Sequence, residues 1–168
     1  LDDTFTPYFL VYPKKESDTE NLIEKIKRLE VEDEEKYQII EIKTTTKKKF
    51  GEELDLIKVF VNIPEAVPVI SKIILEWDDI NDIYEADVPF LRRYLIDKML
   101  TPITRWEAEG GLINKKAKVD VFKAENITQF SEDAIKDPRM LAFDIETYNP
   151  DGKVMQPEKH PIIMVSLY

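Results

Sequence analysis

Met140-Leu-Ala-Phe-Asp-Ile-Glu-Thr-Tyr148 is the stretch from which the rest of this chain is read. Apolar Leu141, Phe143 and Ile145 alternate with Asp144 and Glu146, the period of two expected of a β-strand. Carboxylates at i and i+2 of one strand point the same way and can hold a hard divalent cation. Their plainer reading is a pair of surface acids on a solvated edge strand. Downstream, Asn149-Pro-Asp-Gly152 reads as a turn and Pro161-Ile-Ile-Met-Val-Ser166 as a second strand. The acids therefore sit on the first strand of an expected sheet.

Composition narrows what surrounds that sheet. A chain of 168 residues holds one compact domain, or one and a fraction, with a true hydrophobic core. Its 43% apolar and 35% charged residues are ordinary for a globular protein. No run approaches the length of a membrane span, and no signal-peptide pattern opens the chain. The absence of cysteine excludes disulfides and thiolate metal sites, and a single histidine argues against an imidazole site. Any metal here is expected on oxygen ligands. The formal charge of −10 argues against a general polyanion-binding surface, so a nucleic-acid role requires a local pocket or basic cluster. The start at Leu1 and the close at Tyr168 inside an apolar run lead us to expect a piece of a longer protein.

In chain order, residues 4–12 are aromatic and β-branched and predict a strand, with Pro7 at an edge or bulge. Asp18 is placed to cap a helix to about Glu30, with Leu22, Ile23, Ile26 and Leu29 on one face. Residues 37–42 predict a second strand, residues 47–51 a turn, and residues 54–62 a third strand. Pro64 suits the first turn of a helix reaching Trp77, with Val67, Ile70, Ile73 and Ile74 inward. Residues 80–86 form a fourth strand. The result is an α+β chain whose first part has the βαββαβ order of a ferredoxin-like domain. RNA-recognition modules share that order, but their aromatic signature has no good copy here. Asp87 then caps, and Pro89 enters, a helix with Leu91, Tyr94 and Leu95 on its apolar face. Strand-like residues 103–108 and 118–122 flank Gly110 and Gly111 and predict a hairpin, followed by a polar stretch over residues 128–136. Lys47, Lys48 and Lys49 are the only tight basic cluster; they read as a solvated hairpin tip, with a phosphate contact as the alternative.

Two sets of motifs carry a family resemblance. Phe143-Asp-Ile-Glu-Thr147 with Pro161-Ile-Ile-Met164 closely resembles the first exonuclease motif of archaeal-type family B DNA polymerases. Arg93-Tyr-Leu-Ile-Asp-Lys98 resembles the segment ending the N-terminal domain of those enzymes, and Thr6-Pro-Tyr8 and Pro64-Glu-Ala-Val-Pro68 are shorter matches. The resemblance implies a ferredoxin-like N-terminal domain at residues 1–100 and a connecting segment with a hairpin at 101–137. The first strands of a ribonuclease-H-like 3′–5′ exonuclease domain follow at 138–168. It implies a parent that is a template-directed, proofreading DNA polymerase using Mg2+ or Mn2+. Its partners would be the single-stranded template, the primer 3′ end and, through the parent protein, a sliding clamp, in the cytoplasm with the nucleoid.

In that family the three N-terminal segments converge on a pocket that captures deaminated template bases, chiefly uracil. Carried over, the pocket residues here are Pro7, Tyr8, Pro64, Val67, Val88, Phe90 and Arg93. Apolar and aromatic walls suit a flipped base; Val67 would exclude the methyl of thymine by steric clash, and Arg93 would hold a phosphate or brace the floor. The plainer reading makes Val67, Val88 and Phe90 core residues and Arg93 a solvated helix residue. Asp144 and Glu146 would be the catalytic metal ligands, Asp144 bridging two ions about 3.5–4 Å apart. Two carboxylates do not complete two coordination spheres, and the family's further acidic motifs lie downstream, so these residues alone are expected to be inactive. Three other classes fit the composition: an unrelated ribonuclease-H-like exonuclease, a non-catalytic nucleic-acid-binding module, and a structural interaction domain.

Overall fold

The computed structural model describes residues 1–31, 36–150, 152 and 154–168, and divides the chain into two compact units, Leu1–Asp133 and Ala134–Tyr168. The first unit is organised on its first strand, β1 (Tyr8–Pro13). Helix α1 (Thr19–Lys27) follows, then β2 (Ile39–Lys49), β3 (Glu52–Val61), α2 (Ala66–Leu75) and β4 (Ile80–Tyr84). The four strands form one sheet in the order β2-β3-β1-β4, and every neighbouring pair is antiparallel. Each helix thus carries the chain past one intervening strand.

Alternation along the strands creates two different faces. Phe9 and Val11 of β1 and Ile57, Val59 and Val61 of β3 point to one side, where Leu22 and Ile26 of α1 and Ile70 and Ile74 of α2 cover them. Tyr8 and Leu10 of β1 and Leu56 and Phe60 of β3 point to the other. Helix α1 starts as its sequence predicts: the Asp18 carboxylate accepts from the backbone N–H groups of Glu20 and Asn21. It ends at Lys27, short of Glu30. Pro64 sits two residues ahead of the first helical residue of α2, in a turn closed by the Val67 N–H on the Pro64 carbonyl.

Two turns differ from expectation. Strand β2 does not stop at Ile42; its ladder with β3 runs to Lys49 opposite Glu52, leaving only Phe50 and Gly51 in the turn, both at positive φ. Strand length here is set by backbone pairing, which the Thr and Lys run supplies without any apolar pattern. The second hairpin is β5 (Trp106–Ile113) and β6 (Val121–Gln129), with Gly110 and Gly111 inside β5 rather than at its turn. The register slips between Glu109 and Gly110, and Gly110 lies at φ 155, where a Cβ would collide with the Lys123 carbonyl. Thr128 and Gln129 belong to β6, not to the polar stretch that follows.

Helix α3 (Phe90–Asp97) is the larger correction. Asp87 makes no capping bond, Pro89 occupies the cap position, and the expected apolar residue Leu91 is 68% exposed. Residues 90, 93, 94 and 97, one face at helical spacing, turn inward instead: Phe90 and Tyr94 meet Phe5, while Arg93 and Asp97 meet Tyr8. A hydrophobicity pattern assigns Arg and Asp to solvent, but here each satisfies the other across one helical turn.

The second unit is a ribbon of β7 (Phe143–Thr147) and β8 (Ile162–Leu167), antiparallel, with Asp144 opposite Ser166 and Glu146 opposite Met164. Phe143 is 67% exposed, because two strands alone cannot bury a face. The turn expected at Asn149–Gly152 includes Asp151, outside the described residues. No helix among the described residues is long and apolar enough to cross a membrane.

Ile70 is fully buried beneath the sheet, so Ile70→Ala is expected to cost about 2–5 kcal/mol. A denaturant midpoint unchanged from the parent chain would refute the two-faced packing described above.

Candidate functional site

Three chain segments meet at the end of the sheet where β1 begins and β3 and β4 end. Pro7 and Tyr8 come from the entry to β1, Pro64 and Val67 from the entry to α2, and Val88, Phe90 and Arg93 from the loop and first turns of α3. All seven residues singled out in the sequence line one pocket of about 170 Å³. That is smaller than the ~300–1,000 Å³ of sites for drug-sized ligands, and suits one small flat ring. Ala86, Asp87 and Pro89 complete the lining; nothing in their residue types flags them in advance.

Val67 has two roles at once. It is 8% exposed and belongs to the core between α2 and the sheet, yet it also forms part of the pocket wall. Its position is rigid because the wall is the outer skin of the core. Phe90 is held against Phe5, ring centroids 5.6 Å apart, and keeps 38% exposure at the mouth.

Arg93 is not a solvated helix residue. Its side chain is 9% exposed, with one terminal nitrogen 2.9 Å from Glu85 Oε2 and the other 3.3 Å from Asp97 Oδ1. Asp97 Oδ2 accepts a 2.7 Å hydrogen bond from the Tyr8 hydroxyl, and the guanidinium carbon lies 5.3 Å from the Tyr8 ring centre. Desolvation opposes the Arg93 charge, but the surrounding groups outweigh it and raise its pKa. Both terminal nitrogens face carboxylates and the guanidinium lies against the Tyr8 ring, an arrangement that suits bracing Tyr8. Only its Nε is buried without a partner. The two carboxylates that fix Arg93 were not apparent from the sequence. Glu85 follows β4 at φ 65, a left-handed conformation uncommon outside glycine, and Asp97 lies one helical turn from Arg93.

Two tyrosines of this region hold their protons tightly. Burial, followed by the bond to Asp97, pushes the Tyr8 hydroxyl well above the ordinary phenol value. Burial and a 2.9 Å bond to Asp2 push Tyr94 up to about 12.

In the second unit, Asp144 and Glu146 share a face of β7, as their spacing predicts. Asp144 Oδ1 accepts from the Ile145 N–H at 2.9 Å. The donors are the hard oxygens that Mg2+ or Mn2+ prefers. They are too few, however: no third acidic or histidine ligand joins them among the described residues. The pair fits part of a coordination sphere, and no catalytic step follows from it alone.

Against known proteins, residues 81–168 match the family model described as DNA polymerase family B, exonuclease domain. The chain belongs to that family. It is 32% identical over 167 residues to a DNA polymerase of Methanocaldococcus jannaschii, covering 99% of this chain and 9% of that protein. It is 33% identical over 166 residues to DNA polymerase 1 of Pyrococcus abyssi, covering 98% of this chain and 17% of that protein. The family B DNA polymerase structure from Pyrobaculum calidifontis is similar in fold, with a TM-score of 0.66 and 24% identity over 99% of this chain and 21% of that one. The chain thus spans about a tenth to a fifth of the length of these archaeal relatives.

Because their pKa values are raised, Tyr8 and Tyr94 contribute stability that is intact below pH ~10, the ordinary tyrosine value, and is lost as pH rises; for Tyr94 the loss runs through about 12. In an alkaline titration of tyrosinate absorbance, Tyr8 and Tyr94 are expected to ionise in a late phase, above the ordinary phenol value. Tyr8→Phe and Tyr94→Phe should each remove amplitude from that late phase; loss from the early phase would contradict the bonds described.

Proposed function

We propose that this chain is the template-reading part of a proofreading DNA polymerase, and that its pocket takes a deaminated base, chiefly uracil, flipped from single-stranded template DNA. One observation carries the reading: seven residues from three separate segments, chosen by family resemblance, line a single pocket sized for one ring. Val67, backed by the core, leaves no slack for the extra methyl of thymine. Arg93, locked between Glu85 and Asp97, holds the Tyr8 ring at the pocket floor.

The same reading assigns residues 1–100 to a ferredoxin-like domain, supported by the β2-β3-β1-β4 order and the two crossover helices. Residues 101–137 form the connecting segment, and residues 138–168 the opening strands of a ribonuclease-H-like exonuclease domain. Asp144 and Glu146 contribute part of the ligand set for Mg2+ or Mn2+; segments outside these 168 residues supply the rest, and polymerisation belongs to other domains of the parent. DNA template and primer end are the partners, and a sliding clamp acts through the parent, in the cytoplasm with the nucleoid. A bound metal would supply a hydroxide nucleophile and neutralise the leaving oxygen.

The pocket is tested by titrating single-stranded DNA carrying one uracil against the same strand with thymine. Val67→Gln, which overfills the pocket, is expected to bring the two affinities together without changing thymine-strand binding. Retained uracil preference in that variant would remove Val67 from the discriminating wall.

For the metal pair, Asp144→Ala with Glu146→Ala in the complete polymerase should abolish removal of a mismatched primer end and leave nucleotide addition intact. Undiminished mismatch removal would separate these acids from proofreading.

A further inference from the structure

The sheet face turned away from α1 and α2 has a composition that the fold does not require. In register across the strands it carries Tyr8, Leu10 and Tyr12 of β1, Leu54, Leu56, Lys58 and Phe60 of β3, and Tyr84 of β4. From β2 it receives Lys43, Lys47 and Lys49, while Lys48 points to the opposite side. The lysines lie on the rings. Lys58 Nζ is 3.5 Å from the Tyr8 centroid and 4.9 Å from that of Phe60, Lys43 Nζ is 5.3 Å from Phe60, and Lys49 Nζ is 4.2 Å from Tyr84. Tyr12 and Tyr84 stack on each other with centroids 5.9 Å apart and 25° between planes.

The charges on this face are only partly answered. Lys43 pairs with Glu41 at 2.8 Å. Lys47, Lys49 and Lys58 form no ion pair among the described residues; the register brings Glu52 and Asp82 to this face as well, and Asp97 and Glu85 act on Lys58 from the side of α3. Lys49 donates to the Tyr84 hydroxyl at 3.1 Å, with Asp82 near enough to favour its charge. In a chain of net charge −10, acids balance much of this charge, and what sets the face apart is ammonium groups without ion-pair partners held directly above an aromatic layer. An aromatic layer under cations is what single-stranded nucleic acid uses: phosphates draw the ammoniums away and bases take the freed ring faces. The site is also continuous with the pocket, because Tyr8 lies under Lys58 and lines the pocket as well.

We propose that this face is a second binding site, taking the single-stranded DNA that flanks the base held in the pocket. Lys47, Lys49 and Lys58 contact its phosphates, and the Tyr12–Tyr84 pair and Phe60 provide stacking surfaces. The choice of DNA rests on the template-reading proposal above. The face itself rests on the lysine-over-aromatic geometry, which is independent of uracil.

The test is fluorescence anisotropy of this chain with a labelled oligothymidylate containing no uracil, over a range of salt. Lys49→Gln with Lys58→Gln is expected to weaken binding and to flatten the slope of log affinity against log salt by roughly 1.4, since each phosphate contact on a single strand contributes about 0.7. Tyr84→Ala should weaken binding about 5- to 160-fold, the range of one lost base stack, with the salt slope kept. Lys48→Gln, on the helix-covered side, should change neither. No binding by the parent chain, an unchanged slope in the double variant, or an equal effect of Lys48→Gln would overturn the proposal. So would tighter binding to duplex DNA, or to RNA of the same length. If the parent chain shows no uracil preference while these variants behave as expected, the pocket reading falls and this site stands. If uracil preference is present and the lysine variants are silent, the reverse holds.

Discussion

Strand β1 must be buried on both faces at once, and the rest of the first unit follows from that constraint. Tyr8, Phe9, Leu10 and Val11 are all 5% exposed or less. A strand paired on both edges has no free backbone groups, so its two side-chain faces must each find a cover. Phe9 and Val11 are covered by α1 and α2 in the ordinary way, with apolar side chains. Tyr8 and Leu10 face a side that has no such helices, and it is closed by lysine stems, neighbouring aromatics and the polar edge of α3. Long amphipathic side chains can do this because their methylenes bury apolar surface while their charges stay wet.

That asymmetry puts the chemistry where it is. The core side is dense and rigid, and Val67 is its outermost part, so the pocket wall inherits the stiffness of the core. The other side is held by charge pairs and hydrogen bonds: Tyr8 to Asp97, Asp97 to Arg93, Arg93 to Glu85. A buried guanidinium between two carboxylates fixes geometry more than it adds stability, because desolvation offsets much of the attraction. Tyr8 and Arg93, fixed in this way, both line the pocket. The ribbon of β7 and β8 shows the contrasting case. It has backbone pairing without a cover for either face, and its two carboxylates have correct spacing but no third ligand among the described residues.

Much of this was legible in the residues. Strand alternation at β1 and β3, the Asp18 cap and the apolar stripe of α2 are local patterns, set by neighbours two to four positions apart. The pairing of Asp144 with Glu146 on one strand face is of the same kind. The structure departs from local pattern where a distant partner overrides local preference. The Thr and Lys run of β2 lacks an apolar pattern, yet it is a strand to Lys49 because β3 lies beside it. Gly110 reads as a turn residue but sits at a bulge set by Lys123, across the hairpin.

The amino-acid sequence by itself thus determined most of the elements, their order and the resemblance to the polymerase family, because these depend on local periodicity and on motif words. The tertiary structure decided what those words do together. Arg93 reads locally as a surface residue; Asp97 lies one turn away on its own helix, but only the approach of Glu85 after β4 and of Tyr8 from β1 makes it a buried brace. Lys49 reads as part of a solvated hairpin tip until the sheet register sets it over Tyr84, and sets Lys58 over Tyr8. Charge and burial are properties of the surroundings, and for these residues the surroundings come from parts of the chain that local pattern does not reach.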